Sequence, residues 1–321
     1  MAANVHTTLN TTSSSTHPTY TNKEYYDRRL LEFAKTKFKH AQFGQERPMP
    51  KNNGKTVEFR KWELFDADTT PLTEGVVPDG LSMEQSNVTA TIAQYGAYVT
   101  ISDMLETTAY DQVKRDAVKL LGERMGTVID WVTRDAMNAG TNVQYANGKA
   151  SRAAVGATDI LTTTEIRKAV RTLKKAKAPM FSRGGREHYI CICSPDATFD
   201  LQSDTMWQDV SKYQNAEQIY SGEIGRIFGV VFVESTEAKV FAGEGANSAD
   251  VHSALIFGQD AYGRIKIGNG DAIETIIKER GSAGTADPLD QFSTVGAKVN
   301  AYAAKILQPL WILRIEHGVT A

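Results

Sequence analysis

The sequence predicts an α+β chain built around one long ribbon that cannot cover itself. Three observations lead there. Residues from about Thr56 to Ile101 read as a polar strand, a turn-rich tip and a return strand. Asp103 to Ala139 follows directly as one of the longest helical patterns in the chain. From about Thr158, helical and strand patterns then mix in a more compact region, as in an α+β or mixed-sheet domain.

The bulk numbers set the frame. With 321 residues the chain is long enough for one large domain or two ordinary ones. Hydrophobic residues at 41% and charged residues at 23% belong to a folded protein rather than a disordered one. The formal net charge of -2 argues against tight general binding to nucleic acid and leaves room for a local basic face. No apolar run approaches the ~20 residues of a membrane helix, so no membrane partner is expected. The stretch from Met1 to Asn22 lacks the basic start and apolar core of a secretory signal.

Taken in order, residues 1 to about 21 are Thr-, Ser- and Asn-rich and carry too few apolar side chains to offset their own ordering entropy. Asn22, Tyr25, Tyr26, Leu30, Leu31, Ala34 and Phe38 form the pattern of a capped amphipathic helix. Its polar side carries Arg28, Arg29, Lys35, Lys37 and Lys39, either a solvated face or a surface for phosphates. Pro48, Pro50, Asn52, Asn53 and Gly54 interrupt regular structure.

In the ribbon, Val57 and Phe59 share one face while Trp62 and Leu64 fall on the other, which predicts a bulge or a strong twist near Arg60. Val88, Ala90 and Ile92 face one way; Tyr95, Ala97, Val99 and Ile101 face the other, a second phase switch near Ala93. Fixing ~45 residues costs on the order of 45–90 kcal/mol of backbone entropy. A two-stranded ribbon with few apolar side chains does not recover that alone. Other parts of the chain, or other chains, must cover it.

Asp103 with Glu106 reads as a capping box opening the long helix, with Gly140 as its stop and a short break marked by Tyr110 and Asp111. At 1.5 Å per residue, ~36 residues span ~54 Å, a spine rather than a core element. Thr162 and Glu165 form a second capping box, and Pro179 ends that helix. His188 to Ser194 is a buried-strand pattern. Its two cysteines, Cys191 and Cys193, are read as lying on alternate faces, which disfavours a mutual disulfide and leaves two small buried thiols. Asp196 to Trp207 and Val210 to Tyr213 read as helical or irregular. Strands are expected at Phe228 to Glu234, Leu255 to Phe257, Arg264 to Ile267, Ile273 to Lys278 and through Val295 to Glu316, except around Ala301 to Ala304.

No catalytic constellation emerges. Gly222 to Gly229 lacks the G-x-G-x-x-G order and precedes a strand, so it reads as turn glycines. The six histidines show no i, i+4 pair and no adjacent cysteine, hence no zinc template. Asp287 and Asp290 read as a hydrogen-bonded turn rather than a cation site. Lys174, Lys175, Lys177, Arg183 and Arg186 form a basic cluster, read as the solvated end of the second helix. No cofactor, metal or catalytic residue is expected.

The motifs T-V-E-F-R-K-W (Thr56 to Trp62), L-T-E-G-V-V-P-D-G (Leu72 to Gly80), Q-Y-G-A-Y-V-T-I-S-D (Gln94 to Asp103), D-P-L-D-Q-F (Asp287 to Phe292) and I-L-Q-P-L-W-I-L-R-I-E-H (Ile306 to His317) span nearly the whole chain. In order and spacing the chain resembles the major capsid proteins of tailed bacteriophages, most closely the N4-type family. The resemblance implies an HK97-type capsid fold: an N-terminal arm (residues 1–53), an extended loop with its flanking strands (54–102), a peripheral domain with the spine helix (103–157), an axial domain (158–240), and a final segment (241–321) that completes the axial domain and returns to the peripheral one, re-entering it from about Asp287. It implies self-assembly as hexamers and pentamers into an icosahedral head around double-stranded DNA, assembled in the host cytoplasm. Arg60, Lys61, Trp62, Glu74 and Asp79 of the extended loop would then touch neighbouring subunits, and Arg28, Arg29, Lys35, Lys37 and Lys39 of the arm would face the DNA. A short arm leaves no room for a built-in scaffolding segment, so a separate scaffolding protein is expected, with a portal protein and a decoration protein as further partners. Lys51, Lys55 and Lys61 are available for cross-linking, although no partner residue is evident. An encapsulin-like compartment shell and a soluble enzyme are the alternatives.

Overall fold

The computed structural model describes residues 38–50, 54–62, 65, 69–75, 77, 80–108, 113–183, 185–211, 223–267 and 273–320. The expected arm helix therefore lies outside the described residues, apart from its last residue, Phe38. In chain order the elements begin with β1 (Gln45–Met49), β2 (Thr56–Trp62), β3 (Gln85–Thr91), β4 (Ala93–Ser102), α1 (Asp103–Thr108), α2 (Val113–Asn138) and β5 (Val143–Tyr145). Next come α3 (Thr163–Lys175), β6 (Phe181–Arg183), β7 (Arg186–Cys193), α4 (Pro195–Ser203) and α5 (Thr205–Ser211). The remainder is strand apart from three single 3-10 turns (Ala246–Ser248, Gly284–Ala286 and Pro309–Trp311): β8 (Glu223–Ile227), β9 (Val230–Glu234), β10 (Val240–Phe241), β11 (Val251–Phe257), β12 (Tyr262–Ile267), β13 (Ile273–Lys278), β14 (Phe292–Ile306) and β15 (Ile312–His317). Among the described residues, no helix is long and apolar enough to cross a membrane.

These elements build two sheets and one free ribbon. The 15-residue β14 organises a five-stranded sheet, pairing with β4, β12 and β13, while β1 lies parallel to β12. The second sheet has eight strands, in the order β5-β15-β11-β7-β9-β8, with β6 on β7 and β10 on β11. β2 and β3 pair only with each other. The chain enters the five-stranded sheet at β1, leaves it after β4, returns at Tyr262 and goes back to the eight-stranded sheet with β15.

Burial explains the sequence patterns. The eight-stranded sheet is covered on both faces, which is why β7 and β11 read as nearly continuous apolar runs. On one face Cys191, Cys193, Phe232, Ala254 and Ile256 meet Ile166, Ala169 and Leu173 of α3 and Ala197 and Leu201 of α4. On the other, Ile190, Ile192, Val231 and Phe257 meet Tyr262 and Met137. Cys191 and Cys193 thus share a face, as residues two apart in a strand must; reading them as alternating was an error of period. Both are free and buried. The inner stripe of α2 (Val118, Leu121, Met125, Ile129) packs on Val295, Ala297 and Val299 of β14. With Met137 in the other core, this 26-residue helix ties both sheets together.

Several local expectations change. The β2–β3 register runs unbroken from Thr56↔Thr91 to Trp62↔Gln85, so there is no bulge at Arg60. The switch near Ala93 is real: there the return strand leaves the ribbon and becomes β4 of the five-stranded sheet. The small residues Ala301–Ala304 belong to β14, held by β12 along the same stretch. The strand expected at Phe228–Glu234 is the second arm of a hairpin. Phe228 (φ 52°) and Gly229 (φ 75°) form its two-residue turn, and only the glycine suits that backbone. The D-P-L-D-Q-F segment is a turn in which Asp287 accepts the Phe292 N–H at 2.9 Å, with Asp290 at φ 53°.

Neither capping box forms as expected. At α1 the Asp103 carboxylate does accept a free backbone donor, the Met104 N–H at 2.7 Å, but Ser102 Oγ shares the capping by accepting the Leu105 N–H at 3.3 Å, and the Asp103 N–H donates to the Gln291 carbonyl at 2.9 Å. Glu106 turns outward to Lys114 at 2.8 Å. At α3 the Thr162 side chain makes no capping bond. The carboxylate of Asp204, on the α4–α5 connection, takes that place and accepts both N–H and Oγ1–H of Thr163, at 3.2 and 2.7 Å. Burial alone would raise the Asp204 pKa; the bonds from Thr163 and Met206 outweigh it and hold the carboxyl below its usual value. Asp204→Ala is expected to cost about 1–2 kcal/mol of stability in a urea titration, the ordinary value of a lost helix cap. A loss no larger than a surface substitution produces would mean that Thr162 can cap α3 unaided.

Candidate assembly surface

Among the described residues, the stretch between β2 and β3 gathers several exposed large apolar side chains. Its base is anchored: Val57, Phe59, Ala90 and Ile92 pack on Met49, Ile265 and Ala303. Beyond the last β2–β3 pair, the loop carries large apolar side chains with little packed against them. Leu72 is 78% and Val77 89% exposed, and Phe65, Leu81 and Met83 are also exposed. A folded monomer gains nothing by presenting so much apolar surface on one loop.

The predicted loop residues fall at different points of this feature. Arg60 is exposed on β2, pointing away from Val57 and Phe59. Lys61 and Trp62 complete β2 in the backbone, opposite Ser86 and Gln85. Glu74 is exposed in a turn with Gly75, whose φ of 81° suits glycine. Asp79 lies outside the described residues. So do Arg28, Arg29, Lys35 and Lys37 of the arm; Lys39, the remaining arm residue, is half-buried.

A second uncovered surface lies on the five-stranded sheet, on the face turned away from α2. Tyr98, 73% exposed, and Phe292 stand beside a trough of about 630 Å³. Gly96 and Gly296, on adjacent strands, leave that trough open because neither carries a side chain to fill it. The floor and walls are mostly apolar, and Lys278, Lys298 and Asp287 stand at the rim.

Residues 39–41 are fixed by side chains that pattern reading missed. Asp130, fully buried in the middle of α2, accepts the backbone N–H groups of Lys39, His40 and Ala41 at 2.9, 2.7 and 3.1 Å. Its second oxygen faces His40 Nδ1 at 2.6 Å. The Tyr262 hydroxyl donates to the His40 carbonyl, closing the clamp from the sheet side. One signal could have found it: Asp130 sits on the buried stripe of α2, four residues after Gly126 and three before Thr133. A charge on a buried stripe needs a partner.

Charged groups also lock the C-terminal strand. Glu316 is fully buried and takes two parallel bonds from Arg152, both at 2.8 Å. Arg314 approaches the same carboxylate at 2.8 Å. These bonds to Glu316 raise the Arg152 pKa against the opposing effect of burial, and the guanidinium lies 3.5 Å above the Phe241 ring.

Comparison with known proteins gives this arrangement a context. A family model described as phage capsid protein matches residues 40–275, most of the chain. The chain belongs to the phage capsid protein family. The fold of this capsid protein is shared with solved capsids at low identity. The capsid of Ralstonia phage GP4 superposes with a TM-score of 0.73 at 16% identity, covering 89% of this chain and 91% of that one. The cyanophage Pam1 capsid covers 100% of both chains, with a TM-score of 0.68 and 15% identity. The likeness extends to the SrpI encapsulin of Synechococcus elongatus, at a TM-score of 0.54 and 10% identity over 87% of this chain and 86% of that one. Comparison with curated proteins gives no match. The HK97-type fold expected from the motifs is thus the fold observed, and the chain is a major capsid protein, a structural component of the virion.

Proposed function

We propose that many copies of this capsid protein close into an icosahedral head of hexamers and pentamers around double-stranded DNA. The observation that carries the reading is the extended loop, whose apolar side chains have little cover in their own subunit. The loop reaches a neighbouring copy and lays Leu72, Val77, Leu81 and Met83 against the open face of its five-stranded sheet, over the glycine trough. Burying apolar side chains contributes roughly 1.5–3 kcal/mol each, so a few per subunit, repeated over a shell, are enough to hold it. Arg60, Lys61, Trp62, Glu74 and Asp79 supply polar and aromatic contacts along the same seam.

The two sheets fit the two expected bodies. The five-stranded sheet with α2 is the peripheral body. The eight-stranded sheet with α3, α4 and α5 is the axial body, gathered round the symmetry axes. Of the first 53 residues, those before the clamp at Asp130 are the free part of the arm and carry Arg28, Arg29, Lys35 and Lys37 towards neighbouring subunits or DNA, with Lys39 at the clamp itself and β1 anchoring the rest to the five-stranded sheet. A separate scaffolding protein guides closure in the host cytoplasm, a portal occupies one vertex, and a decoration protein is a further partner. A compartment shell is the second reading, favoured only by the more distant likeness to encapsulin.

Deleting residues 74–80 tests the loop. The expected outcome is a folded subunit, unchanged in circular dichroism, that no longer forms closed shells in electron micrographs. Normal shells from the deleted chain would contradict the reading.

A further inference from the structure

We propose that the exposed stripe of α3 binds the phosphate backbone of double-stranded DNA and so marks the face that the subunit turns towards the packaged genome. The proposal rests on the reading of the shell as a DNA container, and it adds the site of contact.

The stripe is Arg167, Arg171, Lys174 and Lys175, all exposed. Their spacing places them along one side of the helix over about 12 Å. The opposite side, Ile166, Ala169 and Leu173, is buried in the core of the eight-stranded sheet. The helix carries five basic residues against one acidic one, in a chain whose formal net charge is -2. Among the described residues, Lys168 alone of the five is neutralised, by Glu165 at 2.7 Å, and none of the four stripe cations pairs with a carboxylate.

Helix polarity accounts for only half of this. Lys174 and Lys175 occupy the last turn, where the helix dipole favours cations. Arg167 and Arg171 lie further back, the former in the first half of the helix, where the dipole offers them nothing. Leaving them uncompensated there costs repulsion unless something anionic arrives.

The surroundings make a groove of the stripe. Phe228, at the tip of the β8–β9 hairpin, forms the wall opposite the four cations, with Val170 at the base. The Arg167 guanidinium lies 5.4 Å from the Phe228 ring centre, within reach of a cation–π contact. An aromatic residue held at φ 52° is strained, and strain that persists at an exposed position points to a role there. Arginine and lysine in a row on a rigid helix, with no carboxylate or amide side chain among the residues lining the groove, suit a repeating phosphate chain read without regard to sequence.

The test measures binding of a fluorescent DNA duplex to the full chain by anisotropy, at salt from about 50 to 200 mM. The compared variant carries Arg167→Gln, Arg171→Gln, Lys174→Gln and Lys175→Gln. Each phosphate that the variant no longer neutralises should reduce the log–log salt slope by about 0.9, so a drop of about 3–4 is expected. Binding at the lowest salt should fall by on the order of 100-fold. The charge-keeping variant Arg167→Lys with Arg171→Lys should retain the slope. An unchanged slope in the fourfold variant overturns the proposal. So does a variant that loses binding to polyglutamate while keeping its binding to DNA, which would assign the stripe to an acidic protein. Negative-stain images of the same samples separate this from the assembly reading: shells from both chains with unchanged DNA binding reject the site alone.

Discussion

Asp130→Ala should destabilise the subunit by about 3–5 kcal/mol, the combined cost of several buried donors left without an acceptor. The carboxylate is fully buried and satisfies three consecutive backbone N–H groups and the His40 ring at once. Removing it leaves four donors facing the interior without an acceptor, each a desolvation penalty. Asp130→Asn keeps one acceptor oxygen and the shape of the side chain, so a smaller loss, about 1–3 kcal/mol, is expected. Urea unfolding at subunit concentrations too low for assembly gives the numbers. Because the clamp lies at residues 39–41, the same variant should also be cut faster by protease near the start of the described chain. Stability within about 0.5 kcal/mol of the parent, the range of a neutral surface change, would show that the clamp contributes nothing.

Acid should weaken the eight-stranded sheet through His317, at the end of β15, by about 3 kcal/mol between neutral pH and pH 4. Burial pushes this imidazole down to about 4, helped by the nearby His252 and opposed by the bond to the Gly318 carbonyl and by Asp200. With Nδ1–H donating to the Gly318 carbonyl at 2.7 Å, Nε2 has no partner among the described residues, so a proton there would be buried unpaired. The His252 ring lies 6.1 Å away and is also held low by burial, against Asp196, Asp250 and Asp200. The sign follows from proton counts. Between pH 4 and about 6.5 the unfolded chain binds the proton and the folded chain does not, so stability rises with pH. The contribution is complete above about 6.5, lost as pH falls to 4, and flat below. The depressed carboxyls Asp159 and Asp204 act lower, below the ordinary carboxylate value of 3.8. Urea midpoints at pH 7, 5.5 and 4.5 for the parent and for His317→Asn check this. The variant should show the flatter profile, and equal slopes would remove His317 as the cause.

How far the sequence led depended on whether the deciding interaction was local. The ribbon, the 26-residue helix α2 and the buried strand at 188–193 were legible because their hydrophobic period is a property of adjacent residues; the single helix expected from Asp103 to Ala139 is two, α1 and α2, and the break expected at Tyr110 and Asp111 lies outside the described residues. The switch near Ala93 was legible too, although its meaning, a change of sheet, needed β14. The caps were misread because the groups that close α1 and α3 lie elsewhere: Gln291 and Ser102 for one, Asp204 for the other. The same holds for Asp130, whose partners are about ninety residues away in sequence. Phe228 hid a hairpin because phenylalanine is not a turn residue for a positive φ. Ala301–Ala304 looked too small for a strand, yet long-range pairing with β12 decides the matter. Of the candidate loop residues, Arg60 and Glu74 are exposed. The contacts proposed for them would form between chains, and a single sequence carries no pattern for those.

The central claim is that this chain closes into shells through its extended loop. Electron cryomicroscopy of particles formed by the full-length protein tests it most directly. The account predicts closed shells of megadalton mass in which residues 63–84 of one subunit lie across the five-stranded sheet of the next, with Leu72, Val77, Leu81 and Met83 against the trough beside Tyr98. A protein that stays a small oligomer at every concentration, or shells whose loops fold back on their own subunit, would contradict it.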